Sequence, residues 1–185
     1  MARRIHITGA SGCGVTTLGA ALAGRLGLVH LDTDEFYWLP TDPAYIDRRP
    51  IKDRLAMLDA SFAAAPDGWV LSGSMDGWGD PLIPLFDVVL FLRVPGEVRV
   101  ARIAARERTR NGDAVEPGGA LHAASKAFMD WSAAYDASDQ PGRSLQRHEA
   151  WLSRLPCPVL RLDGLRPTAM LVEQVLSVHC DAAKP

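Results

Sequence analysis

Three groups of residues have the types and spacing needed for chemistry. The first is GASGCGVTT at residues 9–17, where glycine, four residues, glycine, one residue and threonine follow one another. Glycines at 9, 12 and 14 allow a backbone to wrap an anion, and amides at the start of a following helix donate to phosphate oxygens. Gly9, Ser11, Gly12, Cys13, Gly14, Val15, Thr16 and Thr17 are therefore the expected phosphate-binding set. Thr16 offers its hydroxyl to a magnesium ion and Thr17 is placed for an α-phosphate. Val15 stands where such loops carry lysine; it keeps the amide and offers no charge. The gapped pattern alone is weak in a chain with 16 glycines, and an ordinary strand-to-helix turn would show the same residues.

The second group is Asp32 and Asp34, two apart in LDTD. At the C-terminal end of a strand they can divide labour, Asp32 facing a magnesium shell and Asp34 holding or deprotonating an acceptor hydroxyl. A solvated acidic turn is the alternative. Asp87 precedes its strand, falls at the far edge of the sheet and is read as structural. The third group is Arg99, Arg102, Arg106 and Arg110, spaced three and four apart near one helical face. A fork of guanidinium donors suits polyphosphate, although Glu97 and Glu107 would also suit a solvated surface helix. Arg143, Arg147 and His148 make a second basic group with no assigned role, and His6 is expected to be a core histidine.

These residues need elements to position them, and the hydropathy pattern supplies strands alternating with helices. Ile5 and Ile7 alternate before Gly9, Leu18, Leu22 and Leu26 recur at four until Gly27, and Val29–Leu31 forms a short strand before the two aspartates. Leu55, Leu58 and Phe62 mark a helix and Trp69–Leu71 a third strand. Val88–Leu92 is apolar throughout, as in a strand covered on both faces. After the arginine helix, NGDAVEPGG has the composition of a mobile loop. Helical patterns follow around Phe128–Tyr135 and His148–Leu155, then a strand at Val159–Leu162 and a last helix striped by Leu171, Val175, Leu176 and His179. Such alternation predicts a parallel sheet with helices on both faces.

Composition narrows the class. The 185 residues, 48% hydrophobic, fit one domain spanning 1–185. A formal net charge of -2 argues against nucleic acid as partner. Three cysteines, Cys13, Cys157 and Cys180, form neither a disulfide framework nor a metal-ligand spacing. MARR lacks a following apolar stretch and no run reaches a membrane span, so no membrane partner and a cytoplasmic location are expected.

The stretch GASGCGVTTLGAALAGRLGLVHLDTD resembles the opening of the shikimate kinase and adenylate kinase group of P-loop kinases. In RIAAR, Arg102 and Arg106 match the paired lid arginines of adenylate kinases. The resemblance implies a P-loop NTPase fold, α/β in three layers, with a five-stranded parallel sheet of order 2-3-1-4-5. It implies ATP with Mg2+, an acceptor arm at about 36–66 and a lid at about 107–124. Arg166, with Pro167, falls where that group packs adenine, and Asp34, Arg102 and Arg106 become the catalytic candidates. The expected function is ATP-dependent phosphoryl transfer to a nucleoside monophosphate or small hydroxylated metabolite, with the lid arginines compensating for Val15. The rival is a non-catalytic nucleotide-binding regulator with a protein partner.

Overall fold

A computed structural model describes residues 3–42, 44–137 and 142–181, the side chains of 179–181 excepted. His179, expected on the inner stripe of the last helix, has its side chain outside the described residues. Five strands, β1 (Arg4–Gly9), β2 (Val29–Asp32), β3 (Trp69–Ser72), β4 (Val88–Arg93) and β5 (Val159–Asp163), form one parallel sheet in the order β2-β3-β1-β4-β5. The seven helices of the described residues are α1 (Val15–Leu26), α2 (Thr33–Tyr37), α3 (Ile51–Ala63), α4 (Gly96–Asn111), α5 (His122–Ala133), α6 (Leu145–Leu152) and α7 (Thr168–Asp181).

Strand alternation sorts the core into two halves. Ile5, Ile7, Leu90 and Leu92 pack with Leu18 and Leu22 of α1 and Leu171 and Val175 of α7. On the other face Trp69, Leu71, Val89 and Phe91 meet Leu58 of α3 and Trp151 and Leu152 of α6. Full burial of each such side chain is worth about 1.5–3 kcal/mol. Residues 88–92 are all buried because β4 is interior and covered on both sides, as the unbroken apolar run predicts. Helix α1 stops where Gly27, at φ 66°, turns its amide back to the Ala23 carbonyl.

Two segments differ from the pattern reading. Helix α2 was not expected; Asp32 caps it by accepting from the Asp34 amide at 3.0 Å, so the acidic pair doubles as a helix start. The segment expected to be a loose loop after residue 110 contains a 3-10 turn at Gly112–Val115. Leu121 donates its amide to the Ala114 carbonyl at 2.8 Å, and Arg108 pairs with Glu116 at 2.5 Å. The span 107–124 therefore includes the last turn of α4 and the first residues of α5 as well as this turn.

Two histidines are locked into the second core half. His6 in β1 is fully buried, with Nδ1 3.0 Å from the Leu71 carbonyl and its ring stacked on Phe86 at 5.0 Å. His148 in α6 meets the Tyr135 hydroxyl through Nδ1 at 2.8 Å. Burial pushes His6 down from 6.5 to about 4. It pushes His148 down to about 3, helped by the nearby charge of Arg143. With folded values below the unfolded value, the unfolded chain binds more protons between them, so stability falls as pH drops. Thermal unfolding is expected to lose up to about 1.4 kcal/mol per pH unit per histidine below about pH 6.5, and His148→Gln to reduce that slope. A flat stability profile from pH 6.5 to 4 would contradict the neutral assignment.

Candidate functional site

The turn after β1 is shaped by close approaches that exclude side chains. A Cβ on Gly9 would lie 2.7 Å from the Leu92 carbonyl oxygen, and one on Gly12 would lie 2.6 Å from the Arg99 carbonyl oxygen. Gly12 and Gly14 have φ of 81° and 90°, conformations that glycine adopts without strain. The Cys13 amide is spent inside the turn on the Ala10 carbonyl at 3.1 Å. Its thiol is buried, and burial pushes its pKa up, so Cys13 contributes packing rather than a reactive thiolate. Helix α1 begins with no side-chain cap, and its first backbone bond runs from the Leu18 amide to the Gly14 carbonyl at 3.0 Å. The amides of Val15, Thr16 and Thr17 precede that bond and point the positive end of the helix toward the strand ends.

The sheet brings the acidic pair to this helix start. Thr16 Oγ1 donates to Asp32 Oδ2 at 2.9 Å, so two oxygen ligands suited to a hard cation are adjacent. Asp34, in the first turn of α2, remains exposed, yet protein atoms crowd its carboxyl. That crowding and the charge of Asp32 raise its pKa, while Arg143, Arg106 and a hydrogen bond from Trp38 pull it down. A carboxylate of raised basicity facing two cations has the character of a general base or an acceptor clamp. Asp87 lies at the opposite end of the sheet, paired to Arg4 at 2.6 Å, and is structural.

The arginines of α4 do not act together. Arg99 is fully buried: Nε donates to the Val94 carbonyl, Nη1 to the Ser132 carbonyl at 2.9 Å and Nη2 to Asp136 at 2.6 Å. It is a core brace and no part of a phosphate fork. Arg102 gives both Nη groups to the Gly164 carbonyl at 3.2 Å, and Nη1 also reaches Gly12 O at 3.5 Å. It ties the β5–α7 loop to the glycine loop. Arg106 lies over the Phe128 ring at 5.9 Å, is 3.4 Å from Glu107 and acts electrostatically on Asp34. Of the two α4 candidates, Arg106 is the one that shares the mouth with Asp34.

Gly164 supports the junction from the β5 side, since a Cβ there would lie 3.1 Å from the Cys13 carbonyl oxygen. Arg166 is exposed in the same loop, its amide bonded to the Asp163 carbonyl at 3.1 Å. In the arm, Arg49 holds the Phe36 and Trp38 carbonyls, and Arg54 stacks on Tyr37 at 3.8 Å. Arg49 thus ties the arm to itself and Arg54, 5.4 Å from the Trp78 ring, joins it to the segment after β3, while Arg48 stays exposed 5.9 Å from the Tyr37 ring.

Sequence spacing assigned no role to Arg143. Its Nη2 donates to Ser11 Oγ at 2.7 Å, from 132 residues away in the chain. A local signal did exist: Gly142 at φ 86° and Ser144 as the cap of α6 fix the backbone on either side of Arg143. Trp38, which hydrogen-bonds Asp34, lies in the span expected to form the acceptor arm and had no role of its own assigned from the sequence.

No family model matches the chain. It is 42% identical over 176 residues to the uncharacterized protein YqaC of Bacillus subtilis (strain 168), with 95% of this chain and 97% of that protein covered. The chain belongs to the YqaC family. Among solved structures, this YqaC-family fold is similar to shikimate kinase from Acinetobacter baumannii in complex with shikimate, at TM-score 0.59, 16% identity, and 99% and 96% coverage of the two chains. Deoxyadenosine kinase from M. mycoides with dCMP and dCDP bound gives TM-score 0.52, 16% identity and 96% and 99% coverage. A gluconokinase from Sinorhizobium meliloti 1021 gives 0.50, 17% identity and 98% and 93% coverage. The YqaC-family chain thus has the P-loop kinase fold, with the parallel sheet order that the opening motif implies.

A raised folded pKa at Asp34 means that its ionised form is disfavoured on folding, so its contribution is full below the unfolded value and lost as pH rises through the folded one. Asp34→Asn is therefore expected to raise the melting temperature at pH 7 and to leave it unchanged at a pH where both states are protonated. A gain of equal size at both pH values would show that the effect is not electrostatic.

Proposed function

We propose that this YqaC-family protein is an ATP-dependent phosphotransferase acting on a small acceptor, either a nucleoside monophosphate or a hydroxylated metabolite. The observation that carries this is the Thr16 to Asp32 hydrogen bond of 2.9 Å beside the uncapped start of α1. It joins an anion-binding helix end to a pair of hard oxygen donors. Those donors fit magnesium, which takes few protein ligands and completes its shell with water and phosphate oxygens. Bound there, the ion would neutralise charge on the phosphate oxygens.

The chain's own residues then divide the work. Main-chain amides of Val15, Thr16 and Thr17 hold phosphate oxygens, and the Ser11 hydroxyl adds a side-chain contact. With a hydroxylated acceptor, Asp34 orients the hydroxyl and takes its proton, a role its raised basicity favours. Arg106, acting on Asp34 across the mouth, supplies positive charge to the transferred group. Arg102 acts through position, holding the glycine loop against the β5–α7 loop where Arg166 would meet the base.

Val15 favours a second function, nucleotide binding without turnover, because loss of one transition-state cation costs about a hundred- to a thousandfold in rate. Purified protein with magnesium and ATP, assayed for nucleotide consumption against nucleoside monophosphates and small polyols or hydroxy acids, separates the two. Phosphotransferase activity predicts acceptor-dependent ADP release, reduced at least about a hundredfold by Asp34→Asn with ATP affinity retained. Saturable ATP binding without ADP release across the panel would favour the regulator, and absence of binding would reject both.

A further inference from the structure

The glycine loop lacks a charged side chain at residue 15, and the fold shows what the valine does instead. Val15 packs against the core cluster, its Cγ1 3.3 Å from where a Cβ of Gly9 would lie. Among the described residues, no α4 arginine hydrogen-bonds a side chain of the loop: Arg99 is consumed in the core, and Arg102 is bonded to main-chain carbonyls. Arg106 leans on Glu107 and Phe128.

We propose that Arg143 is the phosphate-loop cation of this chain, reaching from the start of α6 to the crest of the loop and supplying the charge that residue 15 does not carry. The proposal rests on the nucleotide-binding function argued above. Among the described residues, Arg143 is the cation that hydrogen-bonds a side chain of the loop, at 2.7 Å to Ser11 Oγ. A guanidinium cannot lose its charge in a protein, so this contact fixes a permanent positive charge at the crest of the loop, where phosphate oxygens would sit.

Its placement is supported on three sides. The Trp131 ring lies 5.1 Å from the guanidinium carbon. Ser144, almost fully buried, caps α6 by accepting from the Arg147 amide at 3.3 Å, which fixes the backbone just after Arg143. Arg147 in turn pairs with Asp76 of the β3 loop at 3.1 Å, tying the start of α6 to the sheet. Burial, the larger influence, pushes the pKa of this guanidinium down, and the charge of Asp34 opposes that, so the loop, Asp34 and the start of α6 share one electrostatic centre. Burial weakens hydration of the cation, and a poorly hydrated guanidinium pairs with anions more strongly than an exposed one.

A function for residue 143 at the loop separates polyphosphate affinity from that of a single phosphate. Calorimetric titrations of MgATP, MgADP and AMP into the full chain, its Arg143→Gln and Arg143→Lys variants and the double variant Val15→Lys/Arg143→Gln make the comparison. Arg143→Gln, which keeps a donor for Ser11, is expected to weaken ATP and ADP about ten- to a hundredfold and AMP much less. Arg143→Lys is expected to retain most of the affinity, and lysine at 15 to restore at least about tenfold in the Arg143→Gln background. Melting temperatures without nucleotide identify any folding defect; if Arg143→Gln lowers them, Arg143→Lys against the double variant gives the comparison at preserved charge. Equal ATP affinity in the wild type and Arg143→Gln, or equal losses for ATP and AMP without rescue by lysine at 15, would overturn the assignment while leaving nucleotide binding intact. A wild-type chain that binds none of the three nucleotides would overturn the function and this assignment together.

Discussion

The contact between the glycine loop and the backbone of α4 is the constraint on which the rest of the site depends. Gly12 can lie against the Arg99 carbonyl only because it has no Cβ, and Arg99 is itself immobilised by two carbonyls and the Asp136 carboxylate. A fully buried arginine is costly unless its donors are satisfied. Here the satisfied guanidinium makes a rigid wall for the loop. From that wall follows the direction of α1, and from the direction of α1 follows the meeting of Thr16 with Asp32.

Positive charge around the loop is correspondingly distributed. Arg102 fastens the loop to the β5–α7 connection, Arg106 acts on Asp34, and Arg143 reaches Ser11 from α6. These cations come from α4 and from the residue just before the α6 cap, so the field at the mouth is a property of the assembled fold. Val15, with its side chain packed on the core, fits such a division: the first turn of α1 gives amides and packing, and other elements bring charge.

Much of the architecture was legible in the sequence because its signals are local. The unbroken apolar run of β4, the four-residue leucine spacing of α1 and the glycine after it translate directly into burial and a helix stop. The position of the loop and its neighbouring aspartates was legible for the same reason. The roles of the arginines were not, because spacing along α4 shows which residues share a face but not what that face meets. Arg99 and Arg106 are seven apart on one helix, yet one is braced in the core and the other borders the mouth. Arg143 was harder still, since its partner Ser11 is brought to it only when β1, β4 and α6 have assembled. Helix α2 escaped detection because five residues are too few for a periodic pattern, and its cap coincides with a residue already read as chemical.

The junction of β3 with the start of α2 has an evolutionary corollary. Gly73, at φ 121°, faces Thr33 so closely that a methyl group would fall 1.8 Å from the threonine hydroxyl oxygen. Position 73 cannot gain a side chain alone. Across relatives, a side chain at 73 should appear only where 33 has shrunk and the β3 turn has been redrawn, so the identity of residue 73 depends on that of residue 33 and records how the segment bearing Asp34 joins the sheet.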